Sequence, residues 1–211
     1  MPKRTFNRLD NDKKERVIRA AIEEFQTHGF EKAKIEAIAK KAEVAKGSIY
    51  QYFDDKKDLF LYSVTWSLEY FMRIIDRQTP LKDMDVYDYF LSGSRERFEL
   101  IKKEHLLVAF SIDVVSGKYG SLTRETNEAL NRVGEEYELK LIANGKKKGT
   151  VRADLDDKTL LLFFQGITEK FDTKILEIAK NFDFEPTDDL YHEMENYLKN
   201  MVSLLKNGMG R

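Results

Sequence analysis

Apolar residues recur at intervals of three and four along most of the chain, which is the spacing of one face of an α-helix. In the first such stretch, residues 13–27, they are Val17, Ile18, Ala21, Ile22 and Phe25. Candidate capping residues at 10–12 precede the stretch, and Gly29 follows it. The pattern predicts a helix that begins near residue 13 and stops at Gly29.

The helical spacing continues in eight further stretches. They cover residues 35–42, 46–52, 56–78, 84–103, 105–116, 122–148, 157–180 and 188–206. Asp54 or Asp55 is the expected N-cap of the fourth helix, and Pro80 follows its end. Strand-like alternation is nearly absent. The chain is therefore predicted to be all-α, with about nine helices.

The first three helices have the spacing of a helix-turn-helix, because only about four residues separate the second from the third. The third helix lies in the stretch "KGSIYQYF", residues 46–53, which contains three aromatic residues. Ile49 and Phe53 are four positions apart and are expected to face inward. Tyr50 and Tyr52 are then expected to point outward, where a phenol can donate to a DNA phosphate.

Composition changes this picture in two ways. The chain of 211 residues has no cysteine, which excludes disulfides, thiol catalysis and thiolate metal sites. The net charge of −1 hides a difference between the two ends, because residues 1–52 carry 12 Lys/Arg and 8 Asp/Glu. The basic N-terminal end and the acidic remainder favour an N-terminal contact with a polyanion.

The segment "IEAIAKKAEVAKGSIYQYFDDKKDLF" resembles the DNA-binding signature of the tetracycline-repressor (TetR) family of transcriptional regulators. The resemblance covers about residues 13–62. It implies a helix-turn-helix DNA-binding domain in residues 1–55 and an effector-binding and dimerisation domain in residues 56–211. It also implies a homodimer that binds a palindromic DNA operator, usually as a repressor, and is released by a small-molecule effector.

Carried over position by position, the resemblance implies a set of DNA-binding residues. They are Lys34, Lys46, Gly47, Ser48, Tyr50, Gln51, Tyr52 and Lys56. Gln51 has the amide fork suited to adenine, although a phosphate or water-mediated contact is an equal alternative. Lys56 is expected to meet a phosphate.

Three positions depart from the family pattern. Lys34 stands where Thr is frequent, Glu43 where Gly is frequent, and Ala45 where Ser would cap the recognition helix. Lys34 and Ala45 lack a capping side chain worth about 1 kcal/mol each, and Glu43 is expected in a left-handed conformation. None of these changes removes an expected contact residue.

Two apolar stripes near the C-terminus are predicted to form the dimer interface, with packing inside the chain as the alternative. One comprises Leu160, Phe163, Ile167, Phe171 and Ile175; the other comprises Leu190, Met194, Tyr197, Met201 and Leu205.

The middle helices are unusually aromatic, and an apolar or aromatic effector would fit such a lining. The candidate ligand-binding residues are Tyr62, Trp66, Tyr70, Phe90, Phe98, His105, Phe110, Phe164, Gln165 and Glu169. Ordinary core packing is the alternative for the aromatic residues, and a buried, locally hydrogen-bonded state is the alternative for His105.

An enzyme is the competing class, but the three histidines are scattered and no phosphate loop or metal motif is present. The chain is expected not to be an enzyme and to use no cofactor or metal. A DNA-binding regulator without a small-molecule effector, constitutive or controlled by a protein partner, is the other alternative. With no apolar run long enough for a membrane span and no signal peptide, the protein is expected to be soluble and cytoplasmic, without a membrane partner.

Overall fold

The computed structural model describes residues 2–78, 80–91, 98, 99, 103–182, 185 and 187–208. These residues form ten α-helices and no β-strand. The helices are α1 (Arg4–Asn7), α2 (Asn11–Lys32), α3 (Ile35–Lys41), α4 (Lys46–Tyr52), α5 (Lys56–Gln78), α6 (Val86–Leu91), α7 (His105–Val115), α8 (Thr123–Lys148), α9 (Asp157–Asn181) and α10 (Asp188–Asn207). The all-α prediction is confirmed.

The predicted helix bounds agree closely with those observed for most helices. The recognition helix α4 has the predicted bounds, and α5, α7, α8, α9 and α10 differ from prediction by one residue or less at each end. Helix α1 was not predicted. The prediction for residues 84–103 is met by α6 over Val86–Leu91, whereas residues 92–97 and 100–102 lie outside the described residues.

Gly29 interrupts α2 near its C-terminal end. Its backbone angles, φ 70° and ψ 168°, are accessible to glycine and strained for residues with a Cβ. The helix is regular from its N-cap Asp10, whose side chain accepts from the Lys13 amide at 2.8 Å. The predicted stop at Gly29 is therefore confirmed as a break, after which one further turn runs to Lys32.

The first of two compact units comprises residues 1–70 and 104–133. Its interior is strongly aromatic: the Phe60 ring lies 5.0 Å from Phe25, 6.0 Å from Phe110 and 4.8 Å from Tyr119, measured between centroids. Edge-to-face contacts of this kind favour one arrangement of rings. The core ties the helices of the DNA-binding candidate to α7, because α2 packs against both α3 and α7.

The second unit comprises residues 71–103 and 134–211. One core cluster gathers residues from α6, α8, α9 and α10, among them Phe90, Leu141, Phe164 and Val202. A second cluster contains Phe98, Ile178, Leu190 and Tyr191. These units are defined by packing, so the functional boundary expected between residues 55 and 56 stays a prediction.

Candidate nucleic-acid interface

Residues 42–45 form the turn between α3 and α4. The Val44 amide donates to the Ala39 carbonyl at 3.0 Å, and Glu43 has φ 56°, the left-handed conformation expected for it. Neither Lys34 before α3 nor Ala45 before α4 provides a side-chain cap. A carboxylate oxygen of Glu24 accepts from the Lys34 amide at 2.9 Å instead. The sequence thus produces the expected helix-turn-helix, with Glu43 under backbone strain.

Helix α4 has one buried and one exposed face. Ile49 is fully buried, as predicted, and so is Phe53, the residue directly after α4. Gly47 and Gln51 are exposed, Ser48 is partly exposed, and Tyr50 is 46% exposed. The exposed face therefore carries the small residues Gly47 and Ser48 at its start, and the phenol of Tyr50 and the amide of Gln51 further along.

Tyr52 differs from the prediction. Its ring is only 6% exposed and packs against Phe6 at a centroid distance of 5.7 Å. The expectation that Tyr52 shares an outward surface with Tyr50 is therefore wrong. The reason is a packing partner far away in sequence, which the local helix pattern does not contain.

Residues 3–6 contact the C-terminal end of α4 and were missed by sequence reasoning. The Lys3 amide donates to the Tyr52 carbonyl at 2.8 Å, and the Lys3 ammonium donates to the carbonyls of Tyr50 at 3.0 Å and Phe53 at 3.2 Å. The Thr5 hydroxyl donates to the Gln51 carbonyl. The available signal in the sequence was Phe6 itself, a large apolar residue that lies before the first predicted helix.

Lys46 is engaged by an acid on the preceding helix. Its ammonium donates to Glu36, and this hydrogen bond raises the pKa of Lys46 and lowers the pKa of Glu36. Both side chains are exposed, so water and salt screen the pair. A phosphate can therefore compete with Glu36 for Lys46 at little cost.

Lys56 has a structural role where a phosphate contact was expected. Its ammonium donates to the carbonyls of Glu31 at 3.0 Å and Ala33 at 3.2 Å. It also lies 4.7 Å from the centroid of the Phe30 ring. These contacts satisfy carbonyls at the end of α2, so Lys56 holds α5 to α2 instead of presenting a free charge.

Two of the predicted ligand residues, Trp66 and Tyr70, lie beside an ion pair in the first unit. Arg19 makes two hydrogen bonds to Glu104, at 2.8 and 3.0 Å, and lies 6.0 Å from the centroid of Trp66 and 5.2 Å from that of Tyr70. The Tyr70 hydroxyl donates to the same carboxylate at 2.6 Å. Burial alone would raise the pKa of Glu104, but these hydrogen bonds outweigh it and lower the pKa.

The other aromatic candidates pack in cores. Tyr62 contacts Phe6 and Phe53, Phe110 contacts Phe60, Phe90 contacts Phe164, and Phe98 contacts Tyr191. These contacts support the core-packing alternative for each of these residues.

The three polar candidates differ from one another. Gln165 donates to Glu138 at 2.8 Å, and burial raises the pKa of that carboxyl. Glu169 is exposed beside Lys170. His105 is exposed at the start of α7, so the buried state considered for it is wrong.

One open cleft of about 270 Å³ lies in the first unit. It is formed by the end of α2, including His28 and Phe30, and by residues 118–121. None of the ten predicted ligand residues lines it. Within the ranges that the structure describes, no group of three or more acidic or histidine side chains is placed to hold a metal ion.

The predicted dimer stripes divide into buried and exposed residues. Leu190 belongs to the second core cluster, so its packing is within the chain, which corrects its assignment to the interface. Two others are exposed, Phe163 by 61% and Tyr197 by 40%. The remaining seven, Leu160, Ile167, Phe171, Ile175, Met194, Met201 and Leu205, are partly buried.

Two further apolar residues on the same helices are exposed and were not predicted. They are Leu162 on α9, exposed by 74%, and Leu204 on α10, exposed by 53%. Together with Phe163 and Tyr197 they form what we call the C-terminal apolar face. No helix among the described residues combines the length and the hydropathy needed to cross a bilayer.

Comparison with known proteins connects this geometry to a family. Residues 17–62, which contain the helix-turn-helix, match the family model of bacterial regulatory proteins of the tetR family. The helix-turn-helix segment of this chain is therefore similar to the DNA-binding segment of the tetR family. The family consists of regulatory proteins, in agreement with the expectation that the chain is not an enzyme.

A curated relative and several solved structures are also similar. The HTH-type transcriptional regulator HbdR of Aromatoleum sp. (strain CIB) is 34% identical over 74 residues, which is 35% of this chain. The matched segment spans only about a third, 32%, of that relative's length.

Among solved structures, FadR from Bacillus subtilis in complex with stearoyl-CoA has a TM-score of 0.64 at 21% identity, over 93% of this chain and 99% of that one. The fatty acid degradation regulator FadR from Bacillus halodurans has a TM-score of 0.64 at 23% identity, over 96% and 98%. At these identities the likeness concerns the fold.

Proposed function

We propose that the protein is a transcriptional regulator that binds a palindromic DNA operator as a homodimer, with α4 as the recognition helix. The observation that carries this proposal is the exposed face of α4, small and polar, on a helix-turn-helix in the segment that matches the tetR family. In such a motif the second helix enters the major groove. A regulator of this kind acts in the cytoplasm, where its DNA is.

The contacts follow from the exposed side chains. Gly47 and Ser48 allow the start of α4 to approach the base edges closely. Gln51 is placed to read a base or to bind a phosphate through its amide, and Tyr50 is placed to donate to a phosphate. Lys46 exchanges Glu36 for a phosphate on binding, and Lys34 adds an exposed charge at the start of α3.

Dimerisation supplies the second recognition helix that a palindrome requires. The C-terminal apolar face supports this part of the proposal, because four large apolar side chains on two neighbouring helices are exposed to water in the single chain. A second copy that presents the same face would bury them. This interface is isologous, as two-fold symmetry demands.

We further propose that a small, largely apolar effector controls the protein and that the protein represses transcription. The Bacillus subtilis FadR structure contains stearoyl-CoA, which makes that compound a suitable first probe. A true effector raises the melting temperature of the free protein and lowers its DNA affinity. Absence of both effects with stearoyl-CoA and with free stearate would reject these two compounds as effectors.

The proposed function is tested by Gly47→Leu on DNA enriched from a random-sequence pool by the wild-type protein. Gly47 is exposed and an added Cβ there meets no atom within 4 Å, so we expect the fold to accommodate the substitution. Leucine also favours a helix over glycine by up to about 1 kcal/mol. On DNA the larger side chain blocks close approach, and we expect the affinity to fall at least about tenfold, or about 1.4 kcal/mol.

Gly134→Leu is the matched control, because an added Cβ at Gly134 also meets no atom within 4 Å. It should leave DNA affinity unchanged. Equal DNA binding by wild type and Gly47→Leu, measured by fluorescence anisotropy, would reject α4 as the groove-reading helix.

A further inference from the structure

The N-terminal segment, residues 2–8, is built onto the recognition helix. Three hydrogen bonds from Lys3 and one from Thr5 reach the last carbonyls of α4 and its C-cap residue Phe53. Phe6 is fully buried, and its ring lies 4.9 Å from that of Phe53. The segment is therefore fixed in position beside α4.

Helix α4 depends on these contacts. A seven-residue helix is too short to be stable alone, and Ala45 offers no side-chain cap at its start. Carbonyls in the last turn of a helix have no partner within the helix. Residues 3 and 5 supply those partners, so the segment helps to set where α4 ends and how it is presented.

The same segment carries three positive charges and no acidic residue. Lys3 is used internally: its ammonium, besides its carbonyl contacts, lies 3.0 Å from a carboxylate oxygen of Asp54. Arg4 and Arg8 are exposed and lie four positions apart, at the start and the C-cap of α1. Within the described part of the chain, neither guanidinium has an acidic side chain within 4.0 Å.

We propose that residues 2–8 form a second DNA-contacting surface beside α4, in which Arg4 and Arg8 bind backbone phosphates. This inference rests on the proposed DNA-binding function. The α1–α4 contacts place both arginines on an element anchored to the recognition helix. Guanidinium groups pair with phosphate oxygens through two parallel hydrogen bonds, which exposed and unpaired arginines can form without breaking an internal contact.

The test compares wild type, Arg4→Ala/Arg8→Ala and Arg77→Ala/Arg152→Ala in the full chain. The third protein is the charge-matched control, since it loses two exposed arginines from the second unit. Affinity for the enriched DNA and for an unrelated duplex is measured from low to high salt. Each phosphate contact contributes about one to the slope of log affinity against log salt.

We expect Arg4→Ala/Arg8→Ala to lower the slope by about two and to weaken binding to both duplexes alike. The control should keep the wild-type slope, and Arg4→Lys/Arg8→Lys should recover most of it. An unchanged slope in the alanine variant would overturn this inference and leave the proposed function standing. Weaker binding to the enriched DNA alone would also overturn it, because it would assign base reading to these residues. A wild-type protein that binds no DNA would overturn both.

Discussion

The helix-turn-helix and the C-terminal helices differ in how many large apolar side chains they expose to water. Helices α2 to α4 bury almost every large apolar side chain among their described residues, and Tyr50 is the large apolar residue they expose. Helices α9 and α10 expose Leu162, Phe163, Tyr197 and Leu204. A polar surface suits a hydrated polyanion, and an apolar surface suits a protein partner. The two ends of the chain therefore present surfaces of different chemistry.

The largest expected effect is at the C-terminal apolar face. Phe163→Asp places a charge in the proposed dimer interface, and the dimer dissociation constant should rise at least about 100-fold, or about 2.7 kcal/mol. Sedimentation equilibrium measures this change. Lys158→Asp, an exposed site on the same helix, is the control and should leave the dimer unchanged. A dimer of wild-type strength in Phe163→Asp would place the interface elsewhere.

The next largest effect is expected on the stability of the first unit, at the ion pair between Arg19 and Glu104. Glu104→Gln removes one of the two carboxylates that pair with the partly buried Arg19, the other being Glu15, and should lower the free energy of unfolding by about 2 kcal/mol. Glu128→Gln removes a highly exposed partner of Arg124 and should change the free energy of unfolding by less than about 0.5 kcal/mol. Denaturant unfolding at neutral pH compares the two.

This contribution should depend on pH in a defined direction. The folded state lowers the pKa of Glu104 below its ordinary value of 4.5. A lowered carboxyl pKa stabilises the fold above the ordinary value, and the stabilisation is lost as the pH falls through the folded value. The stability difference between wild type and Glu104→Gln should therefore narrow below pH 4.5. A difference that widens there would contradict the assignment.

Lys56→Met tests whether Lys56 stabilises the first unit or binds a DNA phosphate. Loss of two hydrogen bonds and the contact with Phe30 should cost about 1–2 kcal/mol of stability. The salt slope of DNA binding should stay the same, because the Lys56 ammonium is held by the carbonyls of Glu31 and Ala33. Lys40→Met, an exposed site on α3, should leave stability unchanged. A smaller salt slope with unchanged stability in Lys56→Met would restore the phosphate contact.

The smallest effect is expected in the turn before α4. Glu43→Gly relieves a left-handed conformation and should raise stability by about 0.5–1 kcal/mol. Glu43→Ala keeps the Cβ that causes the strain, so it should give no such gain. Thermal unfolding distinguishes the two variants, and equal stabilisation by both would show that the backbone strain is not the cause.

The sequence predicts features that depend on local spacing and misses features that depend on distant contacts. The bounds of α4, the break at Gly29 and the left-handed Glu43 follow from neighbours in the chain. Tyr52 was expected to contact DNA because the local helix pattern points it outward, and Lys56 because the family resemblance implies a phosphate contact. Their actual partners lie 46 and about 25 residues earlier, in a different part of the chain.

The dimer stripes show the same division. Helical periodicity finds the apolar side of α9 and α10, but it cannot separate the part that faces the chain's own core from the part that faces water. Leu190 lies on the part that faces the core, and Phe163 lies on the part that faces water. Only the packing of neighbouring helices makes that distinction.

Selection of binding sites from a random-sequence DNA pool by the wild-type protein tests directly whether a dimer reads a palindrome through α4. We expect enrichment of a palindrome whose two half-sites, one for each recognition helix, are separated by about one or more helical turns. A folded, dimeric protein that enriches no sequence through repeated rounds would contradict the claim that α4 reads DNA.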